Sequence, residues 1–244
     1  HAKDTVRIGL VGKYVELQDA YKSINEALFQ AATYNNRKLD LQYIHSEKLT
    51  ESNVEEKLSS MDGLIIAPGF GQRGVEGKFV ALKYAREHDM PTFGICLGMQ
   101  CMVIEYARDV LGYKDANSTE MDVNTPHNVI DLMESQKCIS NMGGTMRLGE
   151  YDCILQEGSK AEQAYGKTHI KERHRHRFEF NGDYRSEFEA AGMKCVGENP
   201  DTHFEVPSLT WYIGVQYHPE YNSTVLNPNP LFLSFIKAII DHKK

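Results

Sequence analysis

The chain has 244 residues, and 27 Lys and Arg against 34 Asp and Glu give it a formal charge of −7 with histidines neutral. That balance argues against general attraction to nucleic acid or to an anionic membrane, while 41% hydrophobic content supplies an ordinary core and excludes disorder as the main state. No repeat, low-complexity tract or linker divides the chain, so residues 1–244 read as a single domain. Cys96, Cys101, Cys138, Cys153 and Cys195 are odd in number and lack C-x-x-C spacing, which suggests reduced thiols in a cytoplasmic protein, with neither a disulfide frame nor a metal site. The best apolar run, Leu231 to Ile240, contains Lys237 and falls short of the roughly 18 residues a membrane span needs; neither a span nor a secretory signal is expected. The opening His1-Ala2-Lys3 in place of Met suggests a tag remnant on a protein that extends further toward its N-terminus.

In chain order, Arg7 to Val11 reads as a buried strand, and Asp19 to Tyr34 carries Ala20, Ile24, Ala27, Leu28, Ala31 and Ala32 at the spacing of one helical face. The alternation continues with a strand at Leu39 to Ile44, a helix around Ser52 to Leu58, a strand at Leu64 to Ala67 and a glycine-rich loop. A helix around Lys78 to Arg86, a strand at Thr92 to Ile95 and a helix from Leu97 to about Val110 follow. Strands separated by helices of this length predict an α/β fold, with a mostly parallel central sheet covered by helices on both faces. After residue 112 short strand-like runs appear at Cys153–Leu155, Phe178–Phe180, Lys194–Val196 and Trp211–Tyr217, predicting mixed or antiparallel additions. A last helix is expected from about Pro230, favourable in a first turn, to Asp241.

Four stretches carry chemistry. Gly94-Ile-Cys96-Leu-Gly98-Met-Gln100, between a predicted strand and a predicted helix, has the G-x-nucleophile-x-G form of a nucleophile elbow. Its small flanking residues allow a sharp turn, and the following helix aims its N-terminus at the thiol, which favours the reactive thiolate. A buried structural cysteine is the alternative, and it suits Cys101 inside the helix. A cysteine nucleophile needs a base, and the base an orienting group. Gly214-Val-Gln-Tyr-His218-Pro-Glu220 offers both, since in an extended chain residues i and i+2 face the same way and Pro219 disfavours helix at His218. Ala67-Pro68-Gly69-Phe-Gly71-Gln-Arg73-Gly74-Val-Glu-Gly77-Lys78 invites a P-loop reading, but its glycine spacing and the Phe79 after Lys78 do not fit a Walker A motif. Such a loop can instead aim a backbone N–H at an oxyanion, with Leu97 N–H as the second donor. Lys167 to Arg177 alternates basic residues and histidines; extended, it would put Arg173, Arg175 and Arg177 on one side, where one arginine can clamp a carboxylate.

These elements in this order resemble the class I glutamine amidotransferases, with their flavodoxin-like architecture. More closely, G-F-G-Q-R-G-V-E-G-K (69–78), G-I-C-L-G-M-Q (94–100), D-A-N-S-T-E (115–120), N-M-G-G-T-M-R-L-G (141–149), E-R-H-R-H-R-F-E (172–179) and G-V-Q-Y-H-P-E (214–220) resemble the glutaminase half of CTP synthases. The resemblance covers nearly the whole chain. It implies a nucleophile at Cys96, a general base at His218 and an orienting acid at Glu220. It also implies glutamine binding by Gly69, by the segment Leu97, Gly98, Met99 and Gln100, and by Glu120 and Arg177. The last two make physical sense as partners for the substrate's α-ammonium and α-carboxylate. Arg73 and the loop 142–149 match regions that the family associates with GTP activation and with a lid. One departure is Pro68, which stands where the family usually has glycine; lacking an N–H, it leaves oxyanion donation to Gly69.

The implied activity is hydrolysis of glutamine through a cysteine thioester. The ammonia would serve an N-terminal amidoligase half that aminates UTP to CTP with ATP and Mg, with GTP as activator, in a full-length homotetramer. The domain itself would need no cofactor, nucleic acid or membrane. Rival readings are the glutaminase part of another synthetase, such as one making GMP or anthranilate, a γ-glutamyl hydrolase or cysteine peptidase on a related sheet, and a non-catalytic binding module.

Overall fold

The structure, a computed structural model, describes residues 4–17, 19–133, 146–198 and 203–243. Five parallel strands form one half of a nine-stranded sheet in the order β2-β1-β3-β4-β12-β11-β10-β7-β8. They are β1 (Asp4–Gly12), β2 (Arg37–His45), β3 (Gly63–Ile66), β4 (Thr92–Ile95) and β12 (Tyr212–Val215). The other half, β7 (Arg147–Leu155), β8 (His169–His176), β10 (Lys194–Glu198) and β11 (His203–Glu205), is antiparallel throughout. A second, three-stranded sheet joins β5 (Asn117–Ser118), β6 (Asn128–Leu132) and β9 (Phe178–Phe180).

The alternation of side chains along the central strands divides the core in two. Ile8, Leu10, Ile65, Phe93, Ile95 and Ile213 point to the face covered by α1 (Lys22–Tyr34) and α7 (Pro230–His242). Val11, Leu64, Ile66 and Tyr212 point to the face covered by α3 (Val75–Glu87) and α4 (Leu97–Asp109). Helices therefore cover both faces, as the alternating pattern of elements predicts. Among the described residues no helix is long and apolar enough to cross a membrane, and Cys96, Cys101, Cys153 and Cys195 are buried and joined in no disulfide there. Cys138 lies outside the described residues.

Several elements begin elsewhere than expected, for local reasons. Helix α1 starts at Lys22, not Asp19, because residues 19–21 form a turn. Helix α3 starts three residues earlier than its apolar spacing suggests, behind Gly74, whose φ of 76° no β-carbon disfavours. β7 extends back to Arg147 because its first residues pair with the charged strand β8. Along β8 the alternation is real but inverted in character: Ile170, Glu172, His174 and His176 are buried, while Lys171, Arg173 and Arg175 are exposed. Arg177 leaves that row, lying where the chain passes from β8 in one sheet to β9 in the other.

Helix α4 approaches the sheet very closely. A β-carbon on Gly98 would lie 2.0 Å from the Ile66 carbonyl oxygen, and one on Gly94 would lie 2.9 Å from the Gly98 carbonyl. Backbone is a neighbour that cannot yield, so these positions exclude any side chain. Gly98→Ala is therefore expected to cost roughly 3 kcal/mol or more, at the upper end of overpacking penalties, which at this chain length is a fall of about 6 °C or more in melting temperature. Gly158→Ala is the comparison: it has a φ of 80° but, among the described residues, no atom within 4 Å of the added carbon, so only the backbone penalty of about 1–2 kcal/mol applies. Equal melting temperatures for the two variants would contradict the close-approach argument.

Candidate active site

The site lies where β3, β4 and β12 end side by side, at the carboxyl edge of the parallel strands, the usual place for sites in open α/β sheets. β4 runs directly into Cys96, which turns at φ 54°, ψ −107° and serves as N-cap of α4. Positive φ in a residue with a side chain is strained, and two backbone bonds hold it: Cys96 N–H donates to Val215 O at 2.8 Å and Gln100 N–H to Cys96 O at 3.1 Å. The first N–H groups of α4 have no partner within the helix and face the thiol end of the turn.

His218 arrives from the end of β12. Its Nδ1 lies 2.8 Å from Glu220 Oε1, with both residues buried. The extended-chain argument identifies the pair, but the local geometry differs: Pro219–Asn222 forms a 3-10 turn, and the curl of that turn brings the carboxylate back to the ring. His218 N–H is anchored to Arg173 O at 2.8 Å, and its ring stacks on Tyr221 at 5.1 Å. Burial opposes the charged imidazolium, but the Cys96 sulfur and then Glu220 outweigh it and raise the His218 pKa to about 11. The attraction to sulfur operates although Nε2 makes no hydrogen bond of good geometry among the described residues. Because this folded value lies above the ordinary 6.5, the stability His218 contributes is complete below pH 6.5 and is lost as pH rises through about 11.

Beside Cys96 opens a small cleft lined by Gly69, Phe70, Leu97, Gln100, Glu120, Met146, His176, Arg177 and Phe178. Gly69 belongs to the loop after β3, and two buried lysines grip that loop's carbonyls. Lys78 donates to Ala67 O at 2.7 Å and Lys13 donates to Phe70 O. The P-loop lysine position is thus occupied by an interior ammonium whose pKa burial pushes down to about 8. Glu120 Oε1 accepts the Gly71 N–H at 3.1 Å, and Arg177 Nε is buried without a partner among the described residues.

Of the residues singled out from the sequence, Cys96, Gly69, Leu97, Gln100, Glu120 and Arg177 meet in this cleft, and the buried His218–Glu220 pair stands beside the sulfur. Gly98 and Met99 are not part of the wall. Gly98 presses on Ile66, and Met99 is packed under Gly214, so what they bring to the site is the backbone of the helix's first turn. Arg173 and Arg175 line a separate surface cavity with Glu220 and Tyr221. Arg73 is exposed and pairs loosely with Glu47 at 3.5 Å. Residues 142–145 of the loop matched to a lid lie outside the described residues.

Sequence reasoning overlooked Lys13, His176, Phe178 and Gln216. The last was open to discovery, since it stands two residues before His218 on the same strand end and so faces the same side.

The sequence profile of the family described as glutamine amidotransferase class-I matches residues 16–238. The chain belongs to the class I glutamine amidotransferases. Among relatives of this amidotransferase, CTP synthase of Porphyromonas gingivalis is 67% identical over 247 residues, covering 100% of this chain and 46% of that protein. CTP synthase of Bacteroides thetaiotaomicron is 65% identical over 246 residues, covering 99% and 46%. The chain thus spans about half the length of these relatives. A structure of the Trypanosoma brucei CTPS glutaminase domain with bound acivicin is 36% identical, with a TM-score of 0.91, covering 97% of this amidotransferase chain and 94% of that one.

The charge state of the amidotransferase histidine is testable. In Cys96→Ala the sulfur that most favours the imidazolium is gone, while the burial that opposes it stays. The His218 imidazole is expected to remain doubly protonated at pH 8 in the intact protein and to titrate at a lower pH in the variant. Nitrogen NMR of the ring reads both; an unchanged midpoint would show that the sulfur does not govern it.

Proposed function

We propose that this chain is a glutaminase that works through a cysteine thioester, with Cys96 as nucleophile, His218 as acid and base, and Glu220 as the group that orients the imidazole. The observation that carries this reading is the strained Cys96 turn at the head of α4, set beside a buried His218–Glu220 pair 2.8 Å apart. Family membership supports it.

In the proposed reaction the Cys96 thiolate adds to the δ-carbonyl carbon of glutamine, and the carbonyl π electrons move to oxygen. Backbone N–H groups of Leu97, the first residue of α4, and of Gly69 receive that oxyanion; Pro68 has no N–H to offer. The imidazolium of His218 gives its Nε2 proton to the amide nitrogen as the C–N bond breaks, releasing ammonia and leaving a γ-glutamyl thioester. Neutral His218 then takes a proton from water, whose oxygen attacks the thioester; collapse expels the thiolate and yields glutamate. Glu220 holds the ring by Nδ1 throughout and stabilises its charged form. Glu120 pairs with the substrate α-ammonium and Arg177 with its α-carboxylate, which selects a free amino acid over an internal residue of a peptide.

Similarity to CTP synthases along the whole chain supports a larger assignment. The ammonia goes to a synthetase half, N-terminal in the full protein, that aminates UTP to CTP with ATP and magnesium, in an assembly activated by GTP. That nucleotide and metal chemistry is assigned to the other half, and no step above passes through it. Cytoplasmic location and a homotetramer of the full protein belong to the same proposal.

Two measurements test the glutaminase. Treatment with a glutamine-like chloroketone should add one adduct, located at Cys96 by mass spectrometry, and Cys96→Ala should lose both adduct and glutamate release. Hydrolysis that survives in Cys96→Ala would overturn the nucleophile. Arg177→Ala should raise the KM for glutamine by about 10- to 100-fold, the size of one charged hydrogen-bonded contact, with a smaller change in kcat; an unchanged KM would remove Arg177 from the substrate site.

A further inference from the structure

The Phe178 backbone carbonyl is an acceptor only, and it sets the direction of a hydrogen-bond chain that ends on the nucleophile. Gln100 Nε2 donates to Phe178 O at 3.0 Å, which fixes which end of the Gln100 amide is nitrogen. The same Nε2 lies 3.1 Å from the Gln216 side chain, whose facing atom must therefore be the acceptor Oε1. The Gln216 amide nitrogen is then turned toward Cys96 Sγ, 3.6 Å away. Gln216 is fully buried, and the Cys96 N–H to Val215 O bond holds the preceding residue against the elbow.

A further polar atom against the sulfur is Arg175 O, at 3.9 Å. A carbonyl oxygen can receive the proton of a thiol but can only repel a thiolate. Once the thiol is deprotonated, the side-chain donor that remains among the described residues, in addition to His218, is the Gln216 amide.

We propose that Gln216 is a further catalytic residue of this site, a neutral donor that holds the Cys96 thiolate and, through its carbonyl, fixes the Gln100 amide in the wall of the substrate cleft. Its effect on turnover rests on the glutaminase reading; its effect on the thiol does not. A neutral donor suits this position. A second cation would compete with His218 for the negative charge, whereas an amide steadies the sulfur and leaves the imidazolium proton for the leaving group. The relay also links substrate and nucleophile, since a ligand that reorients Gln100 acts on the amide that touches the sulfur.

The test compares Gln216→Glu, which keeps an acceptor for Gln100 but loses the donor toward sulfur, with Gln216→Met, which removes both at similar length. The rate of Cys96 alkylation by iodoacetamide is followed against pH, with the adduct assigned to Cys96 by mass spectrometry, alongside kcat and KM for glutamine. Both variants are expected to move the alkylation midpoint up by about one pH unit and to lower kcat about 10-fold or more, the scale of one hydrogen bond to a charged group. Gln216→Met should also raise KM by loosening Gln100. A packing role alone would change thermal stability without moving the alkylation profile; profiles that overlay the wild type in both variants would overturn the proposal. If the profiles shift while neither the wild type nor the variants release glutamate, the thiolate role stands and the glutaminase reading falls.

Discussion

The contact between Gly98 and the Ile66 carbonyl is the constraint on which the site depends. It lets α4 lie against the ends of β3 and β4 with no side chain between, so the helix must begin immediately after β4. The residue at that corner, Cys96, takes the strained φ of 54° because strand and helix leave it no other path. The strain therefore follows from packing, and its result is a sulfur lifted off the sheet at the positive end of a helix. β12, paired to β4 in parallel register, delivers Gln216 and His218 to the same corner from a chain position some 120 residues away.

Around this corner the interior is unusually polar, and the polar groups hold the loops in place. Glu172 on β8 accepts from Tyr165 at 2.5 Å, Asn229 at 3.2 Å and Asn222 at 2.7 Å. Burial raises its pKa to about 7 against those bonds, which lower it. Asn222 ends the turn that carries Glu220, and Asn229 caps α7, so one buried carboxylate ties the catalytic turn to helix α7. Lys78 and Lys13 act in the same way on the loop of Gly69. Polar burial of this kind costs free energy unless each group finds a partner, and here the partners are backbone carbonyls and turn residues that would otherwise be free to move.

The parallel half of the fold was legible because hydrophobic periodicity is strong where strands are buried on both faces, as in β3 and β4. The elbow was legible for a related reason, since small residues flanking a cysteine between strand and helix are hard to place otherwise. The antiparallel half was less so. β5 and β6 are short and rich in Asn and Asp, residues that elsewhere signal turns, and β8 buries Glu172, His174 and His176 where the hydrophobic pattern expects apolar side chains. Lys78 was misleading for the same reason, as a charged residue hidden inside a helix under the loop. The direction of the Gln216 amide depends on the Phe178 carbonyl, which reaches it only through the fold; no local pattern carries that information.

Three buried imidazoles near the sulfur show how the fold assigns roles to one chemical group. His176 Nδ1 faces Phe178 O at 3.1 Å, so it carries the hydrogen and leaves Nε2 as an acceptor. His174 Nδ1, 2.9 Å from that Nε2, must then donate, and both rings are neutral tautomers with no proton to spare. Burial, reinforced by the charges of Arg147 and His218, depresses their pKa values to about 3. His218 is buried to a comparable degree, yet the sulfur and Glu220 drive it the opposite way. Separation of pKa values among like groups is what allocates acid and base roles in an active site. Of the three rings, His218 alone has both a carboxylate on one nitrogen and the nucleophile near the other, so the proton lost by the thiol has one stable place to go.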